Sequence, residues 1–483
     1  MKSIFKILFI TLLVVSFSCN EKLDELNVDP NTFPSANDAQ VLSSSIGYLG
    51  YVVDVDLNFF SFLWAQYYTW GIGVSIGNQE RFVSQPDDFD NYWQRSYANC
   101  LTDLKYLTKS NSAAYRGVAK VLQAYIYQAL VDHFGDVPYT EAISGEIEDG
   151  ALLTPAFDNA QSTVYPALIT TLDAAITDLE LAEDDIATDD FIFNGDINKW
   201  IKFANSLKLR ILLRTSETDP QGSAISSLIS SGSFIESVGD MPFIPYSGQT
   251  GDQNPMYARA EWGVGMFYFA SNATLNLLES LNDPRAEAFY TKATSGTFAG
   301  QLRGINQGTI DDEPFTAPAS DYSMASAYSY SDDNPVILMS PWEVWFLRAE
   351  AAARYGTGDD EVTALTNAIQ ANFDYIGVGD ASAYISSLGY SAGDPLDAKL
   401  DIIGIQKWIS LNGTQEDEGW VESRRFDRPA SRLFTDGIFQ NPPLSVLPAG
   451  DFPATWLYPA SERSLNKNAP LQRKLTDRIF WDN

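Results

Sequence analysis

The sequence predicts an all-α protein made of helical hairpins with irregular, loop-rich insertions. Three observations carry that expectation. Apolar residues recur in steps of three and four over long stretches, short polar or glycine breaks set those stretches off in pairs, and two mid-chain regions rich in Gly, Ser, Asp, Asn, Pro and Tyr lack any helical period.

Between 112 and 134 the apolar positions are Tyr115, Val118, Leu122, Tyr125, Ile126, Ala129 and Leu130, which share one helix face, and Gly135 ends the pattern. The stretch Asn198 to Arg214 repeats the logic with Trp200, Phe203, Ala204, Leu207 and Ile211, while Lys199, Lys202, Lys208 and Arg210 take the other faces. Pro341 to Arg354 opens with proline in a first turn and closes before Tyr355-Gly356, and Glu361 to Phe373 follows after a short break. Ala349, Ala351, Ala352 and Ala353 are small enough to let a neighbouring helix approach, so these two segments predict a hairpin of the tetratricopeptide kind. Further pairs are Tyr92 to Lys109 with Ala114 to Phe134 and Ser162 to Leu181 with Asn198 to Arg214, and another begins with Asp397 to Leu411. The irregular regions are Gly239 to Arg259 and Ser295 to Pro335, with a short helix from Ser271 to Leu281 between them that ends at Asn282-Asp283-Pro284-Arg285. Long irregular insertions on an ordered scaffold are often binding loops, although plain surface packing produces them too. The whole reads as one domain, 38–483, with insertions near 239–335.

The amino terminus has a different character. Lys2 and Lys6 precede the apolar run Ile7 to Val15 and then Ser16-Phe17-Ser18-Cys19, the layout of a secretory signal. A cysteine after small Ser18 looks like the lipobox of bacterial lipoproteins, in which that cysteine becomes the acylated first residue. Phe17 and Ser16 stand where a tighter lipobox has a small and a branched apolar residue, and an ordinary cleaved signal with Cys19 incidental is the alternative. The expected organisation is therefore a lipoprotein signal peptide at 1–18, a lipidated tether at 19–37 with the turn formers Asp29-Pro30-Asn31 and Phe33-Pro34, and the helical domain. No apolar run after residue 19 reads as the roughly 20 residues that cross a bilayer.

Composition narrows the chemistry. In a chain of 483 residues, 31 Lys plus Arg stand against 63 Asp plus Glu, a formal charge of −32, which disfavours nucleic acid and polyanionic ligands. With Cys19 acylated, Cys100 has no partner for a disulfide and reads as a small buried apolar residue. The single histidine, His133, excludes zinc sites of several imidazoles and would have to carry any Ser-His-Asp arrangement; in Leu130 to Gly135 it reads as the structural end of a helix. No EF-hand spacing occurs, Ser331-Asp332-Asp333-Asn334 reads as a solvated loop, and no metal, cofactor or catalytic residue is expected.

Several segments together resemble the SusD/RagB family of outer-membrane nutrient-binding lipoproteins: Tyr115-Arg116-Gly117-Val118-Ala119-Lys120 running on to Leu130-Val131-Asp132-His133-Phe134-Gly135-Asp136-Val137-Pro138-Tyr139, then Lys199-Trp200-Ile201-Lys202-Phe203-Ala204-Asn205, Asp283-Pro284-Arg285 and Trp345-Phe346-Leu347-Arg348-Ala349-Glu350-Ala351. Gln406-Lys407-Trp408-Ile409, Gly419-Trp420-Val421-Glu422-Ser423-Arg424-Arg425, and Tyr458-Pro459 with Glu462, Arg463 and Asn466 complete a set that runs through nearly the whole mature chain. The resemblance implies a SusD-like scaffold of tetratricopeptide-like pairs whose insertions carry the ligand surface. It also implies a lipid-anchored cell-surface protein of the Bacteroidota outer membrane, paired with a TonB-dependent, SusC-like barrel transporter to which it delivers a glycan or, in some members, a peptide.

The family segments themselves read as fold rather than ligand site: Trp200, Phe203 and Leu207 as core, and Glu422, Arg424 and Arg425 as ion pairs between helices. Ligand contacts are expected where aromatics occur without helical logic. From Asn58 to Gly73, Phe60, Trp64, Tyr67 and Tyr68 suggest one buried stripe and leave Trp70, before Gly71, as the exposed ring. Tyr257, Trp262, Tyr322, Tyr328 and Tyr330 fall in or beside the insertions, with Arg81, Asp321 and Asn254 as polar partners. Such rings stack on the C–H faces of sugars while amides and carboxylates take the hydroxyls. The expected function is capture of an extracellular glycan for a TonB-dependent transporter. An oligopeptide in the same scaffold is the first alternative, and a glycoside hydrolase, which needs a distinguished carboxylate pair, is the second.

Overall fold

The computed structural model describes residues 36–71, 79–145, 147–148, 151–152, 154–183, 186–261, 268–308, 318–427 and 437–482. In chain order its helices are α1 (Asp38–Tyr51), α2 (Asn58–Trp64), α3 (Asp90–Gln94), α4 (Thr102–Leu107), α5 (Ala113–Phe134), α6 (Tyr165–Glu180), α7 (Ile197–Arg214), α8 (Gly222–Ser231), α9 (Pro255–Glu261), α10 (Asn272–Ser280), α11 (Ala286–Phe289), α12 (Pro341–Tyr355), α13 (Glu361–Ile376), α14 (Ser382–Ser387), α15 (Leu396–Leu411), α16 (Glu416–Arg425) and α17 (Ala460–Leu465). Strands are minimal: β1 (Tyr68–Trp70), β2 (Ile147–Glu148), β3 (Ala151–Leu152), β4 (Phe243–Ile244), β5 (Tyr268–Ala270) and β6 (Val336–Ile337) form three two-stranded antiparallel ribbons, β1 with β5, β2 with β3 and β4 with β6. The architecture is all-α, as the periodicity predicts.

Local chemistry explains the helix ends. Ser340 caps α12 through its Oγ, which accepts the Glu343 N–H, Pro341 occupies the first turn, and Gly356 closes the helix at φ 60°. Asp360 caps α13 in the same way, accepting the Thr363 N–H. Between helices the packing is sequential: α5 on α6, α6 on α7, α12 on α13 and α15, α15 on α16, and α16 back onto α2. Gly117 sets the α5–α6 approach, since a Cβ there would lie 2.6 Å from the Leu179 side chain. Ala349 and Ala351 are fully buried, as their size suggested. One core runs through most of the chain, and a smaller one, with Trp342, Phe346, Ile369 and Phe373, fills the α12–α13 hairpin.

The helix from Asp38 to Trp64 corrects one expectation. Its 27 residues are long and apolar enough by composition to cross a bilayer, but 67% of its most apolar stretch is buried in the fold, which makes it a core helix. It is continuous because α1 passes into α2 through a π-helical segment, Val52–Leu57.

A charged spine joins the helices. Arg210 donates to both carboxylate oxygens of Glu343 at 2.6 and 2.7 Å, Arg214 pairs with Glu418 and Glu422, and Arg425 clasps Glu350 through two bonds of 2.6 Å while also reaching Glu422. Arg354 adds a 2.7 Å bond to Glu350. Burial opposes ionisation of Glu350, yet Arg425 and Arg354 hold its carboxyl down to about 2. The predicted ion-pair role of Glu422 and Arg425 is therefore what the fold uses them for. Arg424 instead donates to the backbone carbonyls of Ala454 and Asp132.

Candidate ligand-binding surface

The irregular insertions and the carboxy-terminal segment meet around β1 and β5. Tyr68, Thr69 and Trp70 pair with Ala270, Phe269 and Tyr268 in antiparallel register. Glu80 then accepts hydrogen bonds from the Thr69 hydroxyl at 2.6 Å and the Trp70 N–H at 2.9 Å. Arg81 Nε donates to the Gly308 carbonyl at 3.1 Å, Gln307 Nε2 donates to the Leu63 carbonyl at 3.1 Å, and Gln66 and Gln440 exchange bonds of 2.9 and 2.8 Å. Four chain segments far apart in sequence are thus stitched into one platform.

Trp70 is a correction. It is 0% exposed, with its ring 5.4 Å from Tyr268 and 5.6 Å from Phe62. The sequence pattern set Trp70, before Gly71, apart from the buried stripe of Phe60, Trp64, Tyr67 and Tyr68. The chain instead turns at Gln66, whose φ is 58°, and enters a strand whose partner lies beyond residue 261, turning the indole inward. Gly71 is there for contact: a Cβ would lie 1.9 Å from the Phe269 ring. Arg81 and Asn254 are also buried, at 6% and 5% exposure. Arg81 ties two segments together as described, and Asn254 caps α9, its Oδ1 accepting the Tyr257 N–H at 3.0 Å while Nδ2 donates to the Asn334 carbonyl at 3.1 Å.

The remaining predicted residues divide in two. Tyr257 and Tyr330 are half-buried with ring centroids 5.2 Å apart, and Tyr330 lines a small polar cavity. Tyr328 is half-buried by area but packs on Phe289 and Tyr375, and burial pushes its phenol well above its ordinary range. Asp321 accepts a 2.7 Å bond from the Ser295 hydroxyl, which braces the turn at Gly296. Next to it, Tyr322 is half-buried and stands at the edge of an open groove. Cys19 and Trp262 lie outside the described residues.

That groove, about 760 Å³ including the space above it, is lined by Asn272, Asn276, Glu279, Arg303, Asn306 and Tyr322 among others. The first three stand on α10 at positions i, i+4 and i+7, so one helix face presents two amides and a carboxylate in a row. Ser271 caps α10, its Oγ accepting the Ala273 N–H, and the α10 start is fixed to the opposite wall by the Asn272 N–H donating to the Ile305 carbonyl at 2.8 Å. Gly304 allows this approach, since a Cβ there would lie 2.4 Å from Asn272 Oδ1. On the opposite wall the Arg303 guanidinium is clasped between the rings of Phe298, at 4.4 Å, and Tyr322, at 4.2 Å. Its faces are taken by rings, and its edge carries the N–H donors. Asn272 Nδ2 bridges the walls by donating to Asn306 Oδ1 at 2.6 Å. Donors, acceptors and aromatic carbon therefore converge on one open trough, the composition that suits a hydroxyl-rich ring. Sequence reasoning found Tyr322 but read α10 only as a short helix. Its Asn-x3-Asn-x2-Glu face was the available signal.

The only histidine is held inside the fold. His133 is fully buried, its Nδ1 2.6 Å from the Ala129 carbonyl and its Nε2 2.8 Å from Asp417 Oδ1, and the Ser61 hydroxyl donates to that same Asp417 oxygen rather than to the ring. A serine activated by imidazole is absent from this cluster.

The helical pairs, the stitched platform and the open trough define an α-helical scaffold that carries an open polar groove between its insertions. The chain matches the SusD-like_2 family, described as "Starch-binding associating with outer membrane", over residues 30–441, and it belongs to that family. Its fold is similar to that of a SusD-like protein from Bacteroides thetaiotaomicron (23% identity, 92% of this chain and 99% of that one, TM-score 0.77) and of a chitin-binding SusD homologue from Flavobacterium johnsoniae (20% identity, 92% and 98%, TM-score 0.76). A further structure called a chitin-binding protein aligns at 22% identity over 92% of this chain and 100% of its own, with a TM-score of 0.75. The comparison with curated proteins gives no match.

Proposed function

We propose that this protein is a cell-surface lipoprotein that binds an extracellular oligosaccharide non-covalently in the α10 groove and passes it to a TonB-dependent, SusC-like barrel in the outer membrane. Cleavage after Ser18 and acylation of Cys19 anchor it there, with residues 19–37 as the tether. The observation that carries the reading is the groove itself, in a chain of the starch-binding, outer-membrane-associated family: Asn272, Asn276 and Glu279 face an arginine clasped by Phe298 and Tyr322. Amides and a carboxylate exchange hydrogen bonds with vicinal hydroxyls, and rings take the apolar sugar face. No bond is broken in this reading.

Calorimetric titration with chitin oligosaccharides, malto-oligosaccharides and mixed oligopeptides tests it, together with product analysis after long incubation. Saturable binding of one sugar class without turnover, weakened in Tyr322→Ala and Glu279→Ala, is the expected result. Peptide binding unaffected by those changes would favour the peptide alternative, and released sugar would favour hydrolysis.

A further inference from the structure

Beside Tyr330, which packs on Tyr257, lies a small polar chamber distinct from the groove. Two adjoining cavities share Asp54, Asn58 and Thr414 in their walls; the outer continues to Asn254, Ser329 and Glu416, and the inner to Gln128 and Arg210. They leave about 50 and 30 Å³ for the centres of water-sized molecules, above the roughly 10–15 Å³ that one water requires. By area Asp54 is half-buried, yet its carboxyl is enclosed by the fold, because the surface it keeps is chamber wall.

The charges in this chamber do not balance. Among the described residues Asp54 and Glu416 form no ion pair, and the outer cavity has no lysine or arginine in its wall. The neighbouring charges are already answered: Arg210 is held by Glu343, Glu418 by Arg214, and Asp417 faces His133. Asp54 receives only the Met256 N–H, at 2.8 Å, and the Asn254 amide, and Glu416 only backbone N–H groups. A second observation points to an occupant. Asn58, 8% exposed, lines both cavities and its Oδ1 has no hydrogen-bond donor, and Gln128, 2% exposed, lines the inner one with neither amide atom bonded, among the described residues. Two carboxylates, an unpartnered amide oxygen and no positive charge make an oxygen-rich cage whose missing component is a cation.

We propose that this chamber binds a small cation, a metal ion or the ammonium group of a ligand, held by Asp54 and Glu416 with the amide oxygen of Asn58. The π-helical turn Val52–Leu57 contributes Asp54, and the first residue of α16 contributes Glu416.

Thermal unfolding of the purified chain at pH 8 tests this in choline chloride, sodium chloride, calcium chloride and methylammonium chloride at equal ionic strength. The expected result is a saturable rise of a few degrees in Tm with at least one of the last three relative to choline, lost in Asp54→Asn/Glu416→Gln. A response to sodium or calcium alone assigns a metal ion, and a response to methylammonium assigns an ammonium group. No rise with any of the three, or the same rise in the double variant, overturns the proposal. Should the double variant not fold, Asn58→Leu takes its place, with a weakened response expected and an unchanged one overturning. Glycan affinity is not read in this experiment, so its outcome is independent of the groove.

Discussion

The charged spine and the polar chamber lie within a few residues of each other on α16 and treat burial in opposite ways. Along the spine, Glu350, Glu343 and Glu422 each meet at least one guanidinium, and desolvation is offset by bidentate hydrogen bonds. In the chamber, Asp54 and Glu416 meet only neutral donors, and desolvation prevails. Glu80, buried with the Thr69 hydroxyl and the Trp70 N–H as its donors, shows that neutral partners also serve the scaffold; what sets Asp54 and Glu416 apart is the cavity that they line.

The comparison can be broken most directly at the spine and the platform. Glu350→Ala should cost about 3–5 kcal/mol, because it strips two hydrogen bonds from the buried Arg425 and one from Arg354 and leaves Arg425 to Glu422 alone, and chemical denaturation would measure it. Trp70→Ala should fall in the same range, about 3–5 kcal/mol, through the cavity it leaves; glycan affinity lost without stability would instead restore Trp70 as a contact residue.

The two interiors should also answer pH with opposite signs. Glu350 is depressed, so its contribution is present above about 4.5 and fades as pH falls towards 2. Asp54 and Glu416 are raised from 3.8 and 4.5 to about 7 and about 8, so the unfolded chain releases their protons first and stability declines as pH climbs from about 4 to about 8. In choline buffer, Asp54→Asn/Glu416→Gln should therefore unfold several degrees above the parent at pH 8, the gap closing towards pH 4. An equal gap at both pH values would remove the contrast with the spine.

Smaller effects are expected at the surface. Glu279→Ala or Asn276→Ala should weaken oligosaccharide binding about tenfold, the loss of one good hydrogen bond, with Tm unchanged. At the small end, Lys292→Ala should leave unfolding unaltered, since its pair with Glu287 is largely exposed.

What the sequence made legible follows the range of the interactions involved. The helices from 113 to 134, 197 to 214 and 341 to 355 were readable because period, cap and stop lie within one segment. Trp70 was misread because its burial depends on pairing with Tyr268, two hundred residues later, and nothing near Trp70 announces that strand. The groove was half visible: Tyr322 stood out as an aromatic in an insertion, whereas Asn276 and Glu279 look like the solvated side of any helix until Arg303 is set opposite them. Asp54 and Glu416 were hidden among 63 acidic residues, since only the fold reveals which carboxylates lack an answering charge.

The π-helical turn at Val52–Leu57 has an evolutionary corollary. At 3.6 residues per turn, removing one residue from a helix rotates everything beyond the gap by about 100°. A single-codon deletion inside the π-helical turn would return the coil to ordinary pitch and leave the Phe60 and Trp64 side of α2 facing its packing partners, whereas the same deletion in the regular turns of α1 or α2 would swing that side away. The wide turn therefore takes up one extra residue without changing the phase of the first long helix, and a one-residue deletion should be tolerated there while one a turn to either side is not.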